Sequence, residues 1–265
     1  MQLLKGVGRA FGGALLFALP LLMTMEMWRL GVSISRWRLA LLVAVTVTLA
    51  VVLARYFGFL DKGGTGIGEA AVDGGVAVLV GVVAATVVLS VLSVVHPVQD
   101  WRSAVSIVAI EMLPATVGAS FARSQLREDG GEVSSERSGP LRELTILAAG
   151  AAVFSASVAP TEEIVLLAAR MNELSAVLLV ALSLAVMHGF IYGVGFKGGA
   201  PSPDGFWRTF TRHTLVGYAT ALAVCAYLLW TFGRFDGLAL QPVVAETIVL
   251  GLPASVGAAA ARLIL

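Results

Sequence analysis

The sequence predicts an all-α integral membrane protein of eight transmembrane helices, built as two parallel four-helix repeats. Three observations carry that reading. The 265 residues are 58% hydrophobic and 13% charged, with a mean hydropathy of +0.89, whereas a soluble domain holds about a quarter charged residues. The apolar residues come in runs of about 20, the length a helix needs to cross roughly 30 Å of hydrocarbon. The second half of the chain also repeats the first at a nearly fixed offset.

Hydropathy places spans near 10–29, 38–58, 74–95, 103–123, 144–169, 175–196, 211–232 and 242–262. Backbone groups in lipid find no water, so the many Val, Ile and Thr residues in these runs read as helix, not strand. The start of the chain, with Lys5 and Arg9 before an apolar stretch, could mimic a signal peptide. Its recurrence later in the chain argues against that. The polar run Ser124 to Glu143, rich in Gly, Ser and mixed charges, reads as a flexible cytoplasmic linker. The chain is thus expected to divide into a first repeat over 1–123, a linker over 124–143 and a second repeat over 144–265. Gly63-Gly64-Thr65-Gly66-Ile67-Gly68 has neither the flanking strand nor the Lys-Ser/Thr of a phosphate cradle, and reads as a loop.

The repeat is visible by sliding the chain on itself. An offset of 137 aligns Gly13, Ala14, Phe17, Thr24 and Glu26 with Gly150, Ala151, Phe154, Thr161 and Glu163. An offset of 139 aligns Leu113-Pro114-Ala115-Thr116-Val117-Gly118-Ala119 with Leu252-Pro253-Ala254-Ser255-Val256-Gly257-Ala258. Four spans per repeat is an even number, so both halves should enter the membrane the same way round, related by a pseudo-two-fold axis along its normal.

Twelve of the 18 basic residues fall on one side of this arrangement, which sets both termini in the cytoplasm of a multi-pass cell-membrane protein. The outer six are Arg29, Arg36, Arg38, Arg102, Arg170 and Arg234. Trp28, Trp37, Trp101 and Trp230 lie near outer span ends, where interfacial aromatics belong. A net charge of +1 without a basic stripe gives no reason to expect a nucleic-acid partner. The single cysteine, Cys225, lies in an apolar run and reads as a core filler.

Function is expected where charge meets lipid. A carboxylate in a span costs about 2.5 to 3.5 kcal/mol even on the gentler insertion scale, and Glu26, Glu111, Glu162, Glu163 and Glu246 all fall in or at the ends of spans. Counted along unbroken helices, they collect near the outer third. Crowded acids there could carry protons or bind a cation, with Glu26 and Glu163 as tentative metal ligands. Thr24 and Thr161 lie two residues before Glu26 and Glu163, so hydroxyl and carboxylate share a ligand only if the helix is broken locally. Pro20 and Pro160 offer a cause, Pro114 and Pro253 could act likewise in the fourth and eighth spans, and freed carbonyls could join a cation shell. His188, aligned with Val51, could relay protons or simply pack with a hydrogen bond. Gly118-x-x-x-Ala122, Gly257-x-x-x-Ala261 and Gly189-x-x-x-Gly193 are helix-packing steps and could serve a homodimer.

Over the segments Phe17 to Trp28 and Phe154 to Val165, together with the paired Leu-Pro-Ala-(Thr/Ser)-Val-Gly-Ala segments, the chain resembles a family of bacterial integral membrane proteins to which no activity is assigned. Locally, Ala156 to Ala169, with Pro160 ahead of Glu162-Glu163, is similar to the Pro-Glu repeat of cation/calcium exchangers, which implies cation and proton chemistry at these acids. The first half carries Met23-Thr24-Met25-Glu26 without an adjacent proline. The expected function is a secondary transporter or exchanger of a cation, coupled to protons, with membrane lipid, cation and proton as partners and no cofactor. A cation channel with an acidic outer vestibule and a non-transporting scaffold are the alternatives. No His-Glu-x-x-His or Gly-x-Ser-x-Gly motif points to an enzyme.

Overall fold

The computed structural model describes residues 2–57, 66–96, 98–125, 140–193 and 206–264; the Gly63-Gly64-Thr65 part of the glycine loop and most of the expected linker, 126–139, lie outside them. Among the described residues there is helix and no strand. Seven helices are long and apolar enough to cross a membrane, and an eighth crossing follows if one bent pair is a single span. The chain divides into two compact units, Met1–Thr145 and Ile146–Leu265.

The first unit runs α1 (Gln2–Leu22), α2 (Met25–Ser33), α3 (Arg36–Phe57), α4 (Ile67–Val91) and α5 (Trp101–Gln125). α5 is its central post. It packs against each of the other four helices, and its most apolar stretch is 78% buried where that of α3 is 22%. Small residues let the backbones close. A Cβ on Gly118 would stand 2.8 Å from the Phe17 Cβ and would strike the Gly13 carbonyl, and one on Gly81 would stand 2.9 Å from the Thr116 amide. Lipid tails supply no hydrophobic drive between helices, so such close van der Waals contact is what holds them. α5 starts on Asp100, whose carboxylate accepts the Ser103 amide at 3.2 Å. That cap satisfies a first-turn donor, and hydrogen bonds from the Ser103 hydroxyl and amide hold the Asp100 carboxyl below its usual value.

α6 (Pro140–Val158) carries the chain across the boundary, and the second unit continues through α7 (Glu162–Arg170), α8 (Glu173–His188), α9 (Phe206–Thr209), α10 (Leu215–Thr231) and α11 (Leu240–Ile264). α8 begins on Asn172, whose side chain accepts the Ser175 amide at 2.7 Å. It widens at its far end into a π turn, Gly189–Gly193, and a second π turn, Phe210–Thr214, joins α9 to α10. α11 packs on α7, α8 and α10. α6 meets α11 as α1 meets α5: a Cβ on Gly257 would strike the Gly150 carbonyl and stand 2.8 Å from the Phe154 Cβ. The small-residue steps at Gly118 and Gly257 are therefore used inside their own units. Gly189 is not, since a Cβ there would meet open space.

Candidate functional site

Two of the expected spans are broken. α1 stops at Leu22 and α2 leaves it at 85°, and α6 stops at Val158 three residues before α7. The breaks are built alike. The amide and hydroxyl of Thr24 both donate to the Leu21 carbonyl, at 2.9 Å each. Those of Thr161 both donate to the Val158 carbonyl, at 3.0 and 2.8 Å. Each threonine is extended and precedes a nine-residue helix. Its hydroxyl turns back to close the old helix and makes no cap bond to the new one.

Prolines contribute unequally. Pro160 lies within its break, while Pro20 lies inside the last turn of α1. Pro114 and Pro253 do not break their helices: α5 and α11 run through both. A proline removes only one ladder bond, and dense packing on α5 keeps the neighbouring turns in place. Pro114 nevertheless leaves the Ile110 carbonyl without its i+4 donor, one residue from Glu111.

The acids fall into three environments. Glu26 and Glu163 each lie in the first turn of a short helix, Glu26 half-buried and Glu163 exposed. There the partial positive charge of the helix N-terminus favours a carboxylate. Glu162 is 72% exposed and pairs with Arg234 at 3.0 Å. Arg234 also donates to the Pro160 carbonyl, so the carbonyl freed by this break is held by a guanidinium. At the break of the first unit an aromatic donor does this: the Trp28 indole N–H donates to the Leu22 carbonyl at 2.9 Å.

The deep acids are Glu246 and Glu111. Glu246, on α11, is 3% exposed; Arg234 and Glu162 are the charges that act on it. Glu111, on α5, is fully buried and neither carboxylate oxygen has a hydrogen-bond partner among the described residues. The Thr116 hydroxyl, five residues on, is equally buried and equally without a partner. Burying a carboxylate there without a partner is costly, which marks Glu111 as the acid of this unit that packing does not explain. Among the described residues no three His, Cys, Asp or Glu side chains converge as a metal shell.

His188 is buried, and its Nδ1 lies 2.8 Å from the Thr214 hydroxyl. That bond joins the last residue of α8 to the second π turn, with the Phe210 ring edge-on at 5.4 Å. π turns recur at functional sites, but this histidine has the environment of a packed, hydrogen-bonded core residue.

Arg234 is the site residue that the sequence concealed. Read by sequence it is one outer arginine of six. Its placement follows from Gly233, whose φ of +79° ends α10 in the left-handed conformation, with the Arg234 amide donating back to the Leu229 carbonyl at 2.9 Å. A glycine after an apolar run is the signal for this ending.

No curated protein and no solved structure matches the chain. One family model does, over residues 6–265, and its description reads "Putative integral membrane protein (DUF2391)". With nearly the whole chain covered, this integral membrane protein belongs to that family.

Proposed function

We propose that the protein is a secondary transporter that exchanges a cation for protons through intramembrane carboxylates, with Glu111 as the proton-carrying group of the first unit and Glu246 as the acid of the second. The observation that carries this reading is the Glu111 carboxylate, fully buried with neither oxygen hydrogen-bonded among the described residues. A fold does not retain such a group for stability, since an apolar side chain of the same size would serve better. Glu26 and Glu163, at the starts of α2 and α7, stand nearer the surface and are assigned to attracting the cation. Two parallel four-span repeats are part of the proposal. They are supported by breaks of one design, each followed by a nine-residue helix, 137 positions apart, and by the same glycine crossing inside each unit.

The test is flux in proteoliposomes loaded with a pH-sensitive dye, on which gradients of monovalent and divalent cations are imposed in turn. Wild-type protein should acidify or alkalinise the lumen with one of them, saturably. Glu111→Gln should keep the wild-type elution profile and lose the coupled proton signal. Unchanged proton flux in Glu111→Gln would remove this carboxylate from the mechanism. Single-channel currents in place of saturable exchange would replace the transporter with a channel.

A further inference from the structure

The two breaks share a frame and differ in what fills the space beside it. In the second unit, the residue after the left-handed Gly233 is Arg234, which reaches the Pro160 carbonyl and Glu162 and acts on Glu246. In the first unit the corresponding helix ending is made by Ser93, with φ of +56°, and the next residue, Val94, donates its amide to the Leu89 carbonyl at 2.9 Å. At the offsets of 137 and 139, Glu162 and Glu246 correspond to Met25 and Ile107. An arginine flanked by two acids is thus replaced by valine, methionine and isoleucine, and among the described residues no ion pair closes the space.

What remains there is an open cleft of about 680 Å³ between α2, the residues after α4, and α5. Met25, Val32, Val94 and Ile107 give it apolar walls, and Arg29 and Ser93 bring polar groups to it. The walls are fixed. A Cβ on Gly31 would stand 2.6 Å from Ile107 Cγ1, so α2 lies tight on α5, and Trp28, also in the wall, is pinned by its bond to the Leu22 carbonyl. Arg29 is exposed and has no ion pair among the described residues, even with Glu26 one turn away.

The same end of this unit holds Arg36 and Arg38 at the start of α3 and Arg102 at the start of α5. Its acids are Glu26 and Asp100, the second engaged in capping α5. Trp37 and Trp101 are exposed beside these arginines, with Arg38 and Arg102 each 5.5 Å from a ring centre. Exposed tryptophans mark the depth of lipid headgroups. A surplus of arginine at that depth, against the bias that otherwise orients the chain, attracts phosphate.

We infer that this cleft holds one anionic phospholipid, its acyl chain along Met25, Val32, Val94 and Ile107 and its phosphate at Arg29 and the Ser93 hydroxyl. The chemistry is that of an amphiphile: an apolar trough open at a cationic rim suits a chain with a phosphate at its end.

The experiment uses the full chain in nanodiscs, with Trp37, Trp101, Trp207 and Trp230 changed to Phe so that Trp28 alone reports. Emission is quenched with phosphatidylglycerol or phosphatidylcholine brominated on the acyl chain, at equal mole fraction. Brominated phosphatidylglycerol should quench Trp28 more strongly. Arg29→Gln should lower that preference about fivefold, the weight of one basic residue near an anionic surface, and Arg29→Lys, which keeps the charge, should retain it. Val94→Phe, which fills the cleft, should lower quenching by both lipids. Equal quenching by the two lipids in the parent protein, or an undiminished preference in Arg29→Gln, would overturn the site. Relief of quenching by soluble glycerophosphate would assign the rim to a small anion instead of a lipid.

Discussion

Gly12 and Gly13 are consecutive residues of α1 with opposite surroundings, and they offer a matched test of the first unit's architecture. Alanine at either position gains helix propensity of about 1 kcal/mol over glycine. At Gly12 the new methyl meets nothing within 4 Å. At Gly13 it would collide with the Ala122 Cβ and stand 2.5 Å from the Gly118 carbonyl oxygen. That oxygen is backbone, so no side-chain rotation relieves the clash and α1 must back away from α5. Overpacking of this kind costs about 1–3 kcal/mol, and in lipid little drives the helices together again. The propensity gain is common to both variants and cancels in their difference. Gly13→Ala should therefore be less stable than Gly12→Ala by about 1–3 kcal/mol. The measurement is equilibrium unfolding in mixed dodecylmaltoside–dodecyl sulfate micelles, followed by circular dichroism, with midpoints compared at equal slope. α4 supplies a second pair: a Cβ on Gly74 would stand 2.8 Å from the Val51 Cα, and one on Gly75 meets open space. Equal stability within both pairs would mean that these helices do not cross where the structure has them.

Two further substitutions test the ends of helices. Arg234→Ala removes a charge-assisted bond to the Pro160 carbonyl, worth about 1.5–3 kcal/mol, whereas Glu162→Gln removes an ion pair that is mostly exposed, worth about 0–1 kcal/mol. Arg234→Ala should be the more destabilising and should speed amide hydrogen exchange at 161–164; a larger effect of Glu162→Gln would show that the ion pair, not the carbonyl bond, holds this break. Ser93→Gly relieves a left-handed conformation that glycine adopts freely, and should raise stability by about 1 kcal/mol in the same unfolding assay, with no gain if Ser93 is unstrained.

The spans were legible because length and apolarity are local properties, and among the described residues each run is mostly helix, two of them broken. The breaks were harder to read. A hydropathy window averages across Met23-Thr24 and Ala159-Pro160-Thr161, because the nine residues that follow each still include Leu, Val, Ile or Met. The signal lay in Thr-Met-Glu and Thr-Glu-Glu, a threonine followed by acids, which is how a helix starts. Depths counted along an unbroken helix placed Glu26 and Glu163 within a span, and the restart puts each in the first turn of a separate helix. Total burial of Glu111 was not readable at all: Ile107 under Gly31, Thr116 under Gly81 and Gly118 under Gly13 are contacts between residues far apart in sequence.

The internal repeat sorts these residues by what explains them. Gly13 and Gly150, Gly118 and Gly257, and Thr24 and Thr161 recur with the same contacts in each unit, and crossing or restarting a helix accounts for them fully. The charges do not recur. Glu111 aligns with Leu250 and Glu246 with Ile107, and Arg234, after the left-handed Gly233, stands where Val94 follows the left-handed Ser93. Leu250 is as buried as Glu111, so an apolar residue satisfies the packing at that position and the carboxylate is not required by the fold. In the second unit Glu162 pairs with Arg234, whose charge also acts on Glu246, while in the first neither Glu111 oxygen has a hydrogen-bond partner among the described residues. The same threonine and glycine contacts thus occur inside both units, and what the protein does is to be sought in the residues by which the two units differ.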